Sequence, residues 1–318
     1  MPYKHRDKHR DKFTKAEYRV TNWASYNESL RSRGDLTVWI SDDIAQRWVP
    51  PRRKTRGGQH RYSDLAIEIC LSLRVVFRMP LRQTQGFVRS LMRLLKVDLQ
   101  VPDFGALSRR GKGLEVAQKP RTTSEPVTLI IDSTGLKMQG ECAWHVEKHG
   151  IKKPRKTWRK LHIAFDPDGG DIVTSELTTQ ETGDVTAVPE LLAPIEGRVV
   201  RVIADGAYDG ASVDQWLRSK FGPDVEVVIP PPKDAVPGPD TNRNMRIKEI
   251  SDTGRMAWQA ASGYSQRARV EAQIGRWKTV IGDSLQARHF ETQKCEVNIA
   301  TKVLNRMNDL GCAVYSRV

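Results

Sequence analysis

The chain of 318 residues has no apolar run near the roughly 20 residues needed to cross a bilayer. Its opening, Met1-Pro2-Tyr3-Lys4-His5-Arg6, leads into no apolar segment, so neither a membrane span nor a secretory signal is expected and the reading is of a cytoplasmic protein. Cysteine is scarce: Cys70, Cys142, Cys295 and Cys312 are scattered without C-x-x-C spacing, which fits reduced thiols and excludes a disulfide framework. Cys142-Ala143-Trp144-His145 with His149 makes half a zinc site, but no fourth ligand stands at finger spacing, so the trio is read as accidental.

Acidic residues are thin in one part of the chain only. Residues 1–126 hold 26 Lys and Arg against 13 Asp and Glu, whereas residues 127–318 hold 26 against 25. A basic part joined to a nearly neutral one is the balance of a nucleic-acid-binding module fused to something else, because Lys and Arg gain affinity for phosphate by counterion release.

Residues 1–19 read as a flexible basic arm. Residues 20–58 form a small segment with Trp23, Tyr26, Trp39 and Trp48 as anchors, ending in the basic linker Pro50 to Gly58. Residues 59–125 are expected to be helical. Ser63 caps a helix with Leu65, Ile69, Leu73, Val76 and Phe77 at helical spacing. Pro80 opens a second helix, with Phe87, Leu91, Leu94 and Leu95 inside and Arg82, Arg89 and Arg93 outside, and Pro102-Asp103 starts a short third helix ending in Ser108-Arg109-Arg110-Gly111. This suits a helix-turn-helix-like module whose last helix, carrying Arg109 and Arg110, enters the major groove. A three-helix bundle with solvated arginines is the plainer alternative.

Beyond a linker at 114–126 the pattern becomes strands alternating with helices. Val127 to Ile131 is an apolar run ending at Asp132; 161–165 and 172–177 are strands, 184–195 a helix, and Val199 to Ala204 a buried strand ending at Asp205. A helix over 209–221 and a strand over 225–229 follow, then an irregular insertion at about 230–262, then helices to the end. That order fits an RNase H-like α/β domain over 126–318.

Two strands thus deliver an aspartate each to the carboxyl edge of a sheet, where α/β folds bind ligands. Two such carboxylates repel unless a cation lies between them. A third acid stands on a helix. Tyr264, Arg267, Glu271 and Lys278 fall within a sector of about 60° at 3.6 residues per turn, beside the apolar stripe Val270, Ile274, Trp277 and Ile281. Arg269 and Arg276 point away, free to reach phosphate. Arg267 and Glu271 are also spaced to form a simple i,i+4 ion pair. The run Lys152 to Lys160, including Lys156, Arg159 and Lys160, leads into a strand beside these acids and is a candidate nucleic-acid contact; His162 is read as a hydrogen-bonded sheet histidine.

Asp132, the Asp205-Gly206-x-Tyr208 turn and the Tyr264/Arg267/Glu271/Lys278 stripe resemble insertion-sequence DDE transposases of the IS-five family, nearest its IS-nine-zero-three-like members. The segments Asn22 to Trp39, His60 to Asp64 and Pro102 to Arg110 look similar to that group as well, so the resemblance runs from about residue 20 to the C-terminus. It implies an enzyme that binds terminal inverted repeats, frees a 3′-hydroxyl at each element end by hydrolysis and joins it to target DNA. Asp132, Asp205 and Glu271 are the implied ligands of two Mg2+ ions, with Mn2+ able to substitute, since hard cations prefer oxygen donors. Tyr264, Arg267 and Lys278 are the implied DNA contacts near the scissile bond. Both element ends must be handled together, so a homo-oligomer, at least a dimer on nucleoid DNA, is expected. An RNase H-like nuclease without strand transfer and a domesticated DNA-binding protein are the alternatives; the intact acidic trio speaks against the second.

Overall fold

The computed structural model describes residues 18–40, 43–52, 54, 56–118, 125–138, 158–238 and 241–317. Lys156, Cys142, His145, His149 and the first 17 residues lie outside that set. The chain opens with a short strand β1 (Tyr18–Val20) and helix α1 (Trp23–Ser32). The helices α2 (Ile44–Arg47), α3 (Asp64–Val76), α4 (Leu81–Leu94) and α5 (Phe104–Arg110) follow. The last three start where the sequence places them. The Ser63 hydroxyl accepts from the Ala66 amide at 3.1 Å and the Asp103 carboxylate from the Ala106 amide at 2.9 Å, each occupying an N–H that the first turn leaves unpaired.

A mixed sheet then forms from β2 (Val127–Met138), β3 (Trp158–Phe165), β4 (Ile172–Thr179), β5 (Val199–Ala204) and β6 (Glu226–Val228). Their order is β4-β3-β2-β5-β6, antiparallel from β4 to β2 and parallel from β2 to β6. Helices α6 (Asp184–Leu192) and α7 (Ala211–Phe221) cover one face with Val188, Leu191, Val213 and Leu217.

Residues 230–238 are irregular as expected, but the rest of the span to 262 holds α8 (Thr241–Thr253) and α9 (Arg255–Ala261). The polar composition hid both helices, because two ion pairs rather than an apolar stripe fix α8. Arg246 pairs with Asp214 of α7 with both groups almost wholly buried, and Arg243 pairs with Asp209 at 2.7 Å. The second face of the sheet is covered by α10 (Ala268–Val280) and α11 (Phe290–Asp309), separated by the two-residue strand β7 (Ser284–Leu285) that pairs with the end of β2. A last strand, β8 (Tyr315–Arg317), pairs antiparallel with β1, so residues 18 and 19 belong to a ribbon rather than to a loose arm. Asn22 at the start of α1 donates to the Cys312 carbonyl at 2.9 Å and accepts from the Val314 amide at 2.8 Å; the first segment therefore packs on the far end of the chain instead of forming its own unit.

Helix α11 belongs to two cores. Cys295, Ile299, Val303 and Met307, at i, i+4, i+8 and i+12, join Ile69, Cys70, Leu73 and Leu91 of the N-terminal helices. Val297, Ala300 and Leu304 join Ile163, Phe165 and Leu177 on the sheet. The boundary expected near residue 125 is thus bridged by a helix from the other end of the chain. On the opposite face of the sheet lies a buried polar cluster: His162 meets Tyr208 Oη at 3.2 Å and Thr178 Oγ1 at 3.0 Å, with Asp184 3.6 Å away. Burial pushes the His162 imidazole down to about 4, Asp184 pulling the other way, so the ring stays neutral in the fold.

Two outcomes follow from this packing. Ile299→Ala removes volume from the shared wall and is expected to cost about 2–5 kcal/mol; in a denaturant titration followed both by tryptophan fluorescence and by helicity, both parts are expected to unfold in one transition. An unfolded chain protonates His162 near pH 6.5, while the fold resists until about pH 4. Stability present at neutral pH is therefore lost as pH falls through that window, by up to about 3 kcal/mol from this residue, and His162→Gln is expected to flatten that part of a stability–pH profile.

Candidate active site

Strand β2 does not stop at Asp132. It runs on to Met138 because antiparallel β3 continues to pair with it after parallel β5 has ended at Ala204. The register nevertheless sets the two aspartates side by side, since Ile131 is opposite Ala204 and Asp132 and Asp205 come next on neighbouring strands. The period-two alternation of a strand turns Asp132 with Ile130 and Leu136 toward the face covered by α10, and Ser133 toward α6. Ser133 Oγ donates to Asp184 at 2.8 Å, and Lys160 Nζ lies 3.1 Å from the other Asp184 oxygen. Asp184 had no sequence signal beyond its place in the first turn of a helix, where a negative charge is favoured.

Asp205 leaves the sheet as the N-cap of a single 3-10 turn, Gly206–Tyr208, and accepts from the Ala207 amide at 2.8 Å. A side chain at Gly206 would bring its Cβ to 3.0 Å from the Pro230 carbonyl oxygen, so the turn can close against that loop only with glycine. Tyr208 is buried behind the turn against His162, and burial first, then the Asp184 charge, pushes its hydroxyl well above the ordinary range.

The third element is not one continuous helix. Tyr264–Arg267 is a 3-10 turn entered through Gly263 in the left-handed region (φ 66°), and α10 begins only at Ala268. Within α10 the expected face holds: Val270 and Trp277 are buried on the sheet, with Ile274 and Ile281 packed beside them. Glu271 projects from the first turn, exposed, at the rim of that contact. Tyr264 is half-buried against Trp258, its ring centroid 6.2 Å away, and burial raises its hydroxyl pKa.

Arg267 stands among the three acids and touches each of them. Its Nη2 lies 3.3 Å from Asp132 Oδ2 and 3.7 Å from Asp205 Oδ2, while Nη1 pairs with Glu271. Burial lifts the Asp132 carboxyl above the usual range; the Arg267 charge opposes the shift, and Asp205 and Glu271 reinforce it. Ionised Asp132 therefore costs the fold stability at neutral pH, a cost that disappears as the pH falls. Burial works against the Arg267 charge as well, but the surrounding acids outweigh it and hold the guanidinium above its ordinary range. The donor set is three carboxylates, all hard oxygen, gathered around one cation. That chemistry fits a divalent metal. Among the described residues no three acidic, His or Cys side chains are yet close enough to hold a single ion; the guanidinium stands between them, and its Nε is buried without a hydrogen-bond partner.

Several residues expected to face DNA are engaged inside the protein. Arg276 donates to the Leu304 carbonyl at 3.1 Å and is half-buried, because α11 lies on the side of α10 that periodicity alone left open. Arg110 binds the Tyr62 carbonyl at 3.0 Å and pairs with Asp64, tying α5 to the start of α3. Arg159 reaches Gln293 at 3.1 Å and covers the Phe290 ring at 5.0 Å, and Lys160 turns to Asp184. Lys278, Arg269 and Arg109 are exposed, Arg269 with Asp168 at 3.8 Å.

Comparison with known proteins gives two matches to family models, both described as a transposase DDE domain, over residues 31–141 and 123–306. Solved structures are similar only distantly. A piggyBac transposase synaptic complex with hairpin DNA is 13% identical over 93% of this chain and 78% of that one, with a TM-score of 0.37. A simian T-cell lymphotropic virus intasome bound to PP2A regulatory subunit B56 gamma is 12% identical over 62% and 64%, with a TM-score of 0.25. A pre-cleavage Mos1 transpososome is 10% identical over 83% of each chain, with a TM-score of 0.20. The longer family match covers more than half of the chain and takes in the stretch from Asp132 through Glu271, and on that ground this protein belongs to the DDE transposase family.

Proposed function

We propose that this transposase is of the IS-five family, nearest the IS-nine-zero-three-like group, and that Asp132, Asp205 and Glu271 are its metal ligands and catalytic acids. It binds the terminal inverted repeats of its own element as a homo-oligomer, hydrolyses the phosphodiester at each end and joins the freed 3′-hydroxyls to target DNA. The observation that carries this reading is the convergence of three carboxylates, from two adjacent strands of an RNase H-like sheet and one helix packed on it, around a single cationic group.

A divalent ion held there, Mg2+ or in its place Mn2+, supplies Lewis acidity and an activated oxygen nucleophile at neutral pH. The chain's own residues do the rest. Backbone amides of Ser133 and Ala207 hold one oxygen each of Asp132 and Asp205, which fixes both carboxylates as acceptors aimed away from the strand. Glu271 stands on an exposed first turn. Arg267 bridges the three acids and would turn its guanidinium to a phosphate oxygen beside the scissile bond. Lys278, two turns along α10 on the same side, and Tyr264 extend that contact along the strand.

Glu271→Gln preserves shape and removes the charge. Cleavage of a terminal-repeat duplex in Mg2+ or Mn2+ is expected to vanish while duplex binding stays within about twofold of wild type; near-normal cleavage would remove Glu271 from the site. Arg267→Ala tests the exchange of one cation for another. In chelator its melting temperature is expected to fall, and Mn2+, titrated calorimetrically without DNA, is expected to bind about tenfold more tightly than to wild type because no resident cation competes. Equal affinity in both proteins would mean that the guanidinium and the metal do not share these carboxylates.

A further inference from the structure

Helix α4 carries Arg82, Arg89 and Arg93 and no acidic residue among its 14 positions. Spaced i, i+7 and i+11, the three arginines fall within about 40° of one another and span about 16 Å of helix. All three are exposed, while Thr84, Val88, Leu91 and Met92 are buried on the opposite side. The stripe is long enough to run between the walls of a major groove about 12 Å wide.

Gly86 lies on the same stripe, about 40° from Arg82. It has ordinary helical geometry, it is exposed, and a Cβ built there meets nothing within 4 Å. Among the described residues nothing calls for glycine at this position, although glycine in mid-helix is costly. A bare backbone there leaves room for something to approach the helix closely.

The connections point to the same helix. Between α3 and α4 only Phe77 to Pro80 intervene, with Arg78 in the left-handed region (φ 50°). A turn of that length precedes the groove-entering helix of a helix-turn-helix pair. Helix α5, by contrast, follows a nine-residue connection, has seven residues, and turns Arg110 inward.

We infer that α4, not α5, is the helix that enters the major groove of duplex DNA, with Arg82, Arg89 and Arg93 on phosphates and base edges and Gly86 admitting the duplex to the backbone. This rests on the reading of the chain as a protein that handles duplex DNA, and it names a different helix from the one carrying Arg109 and Arg110. Arg82 is held for the task by stacking on Phe104 of α5 at 4.3 Å. The turn before α4 is anchored to the helix of Glu271: Arg78 donates to the Val280 carbonyl at 2.8 and 3.1 Å and also to Thr279, at the C-terminal end of α10, where a cation is favoured. A duplex seated on α4 is therefore held in a fixed relation to the carboxylates.

The test uses the full chain and a short fluorescent duplex of mixed sequence, titrated at several salt concentrations. Arg89→Gln with Arg93→Gln is expected to weaken binding at least about tenfold and to reduce the salt slope by roughly two. Arg109→Gln is expected to stay within about twofold of wild type. Gly86→Gln is expected to raise the melting temperature by about 1–3 °C while weakening binding about tenfold, an opposition of signs that a merely structural position does not produce. Unchanged binding in the α4 variants, or loss in Arg109→Gln alone, overturns the assignment and leaves the catalytic reading standing. A wild-type chain that binds no duplex overturns both.

Discussion

Burial of α11 on two sides is the constraint on which the other arrangements depend. A helix can offer only so much apolar surface, and this one divides it, one stripe for the helices at the start of the chain and one for the sheet. With α11 fixed, β4 is fixed too: Asn305 both accepts from the Ile172 amide at 2.9 Å and donates to its carbonyl at 2.8 Å, and Thr301 meets Ser175 at 2.8 Å. Helix α10 packs beside α11 on the same face of the sheet, against β2, and Glu271 arrives beside the aspartates as a result of packing rather than of any attraction between acids.

Attraction would in any case have the wrong sign. Three carboxylates around one point repel, and the sheet sets two of them on adjacent strands without regard to that. The chain meets the problem locally, by placing an arginine four residues before the glutamate. The pair that looks like an ordinary helical ion pair in sequence is the means by which a charged cluster tolerates partial burial. On the far side of the same strands, Ser133, Lys160 and His162 surround Asp184, so Asp184 has cationic and hydroxyl partners while Asp132, one residue along β2 from Ser133, shares the Arg267 guanidinium with two other acids.

Much of this was legible in the residues. Apolar runs ending in Asp132 and Asp205, the caps Ser63 and Asp103, and the packing face of Val270 and Trp277 all rest on short-range patterns, and they were recovered with small shifts of boundary. Other features depend on long-range partners that leave no local trace. Nothing near Asn242 or Met245 signals α8, because its anchors Asp209 and Asp214 lie some thirty residues earlier. Arg276 and Arg159 looked like surface charges for the same reason: periodicity shows which way a side chain leaves its own element and says nothing of what another element brings to meet it. Asp132 reads as the end of a strand because its parallel neighbour ends there, while the antiparallel neighbour, invisible to local pattern, carries the strand six residues further.

The pairing of β1 with β8 sets the order in which a growing chain can mature. Tyr18 meets Arg317 and Val20 meets Tyr315, among the longest sequence separations the chain allows. Closing so large a loop is slow and comes after local structure. During synthesis the N-terminal helices emerge first, yet the wall they pack against, Ile299 and Val303, follows Leu91 of α4 by more than two hundred residues. Their apolar faces must wait exposed, a hazard for association with other nascent chains. Completion of the N-terminal core is thereby tied to synthesis of α11, and a transposase broken off before that helix lacks the wall of its N-terminal region as well.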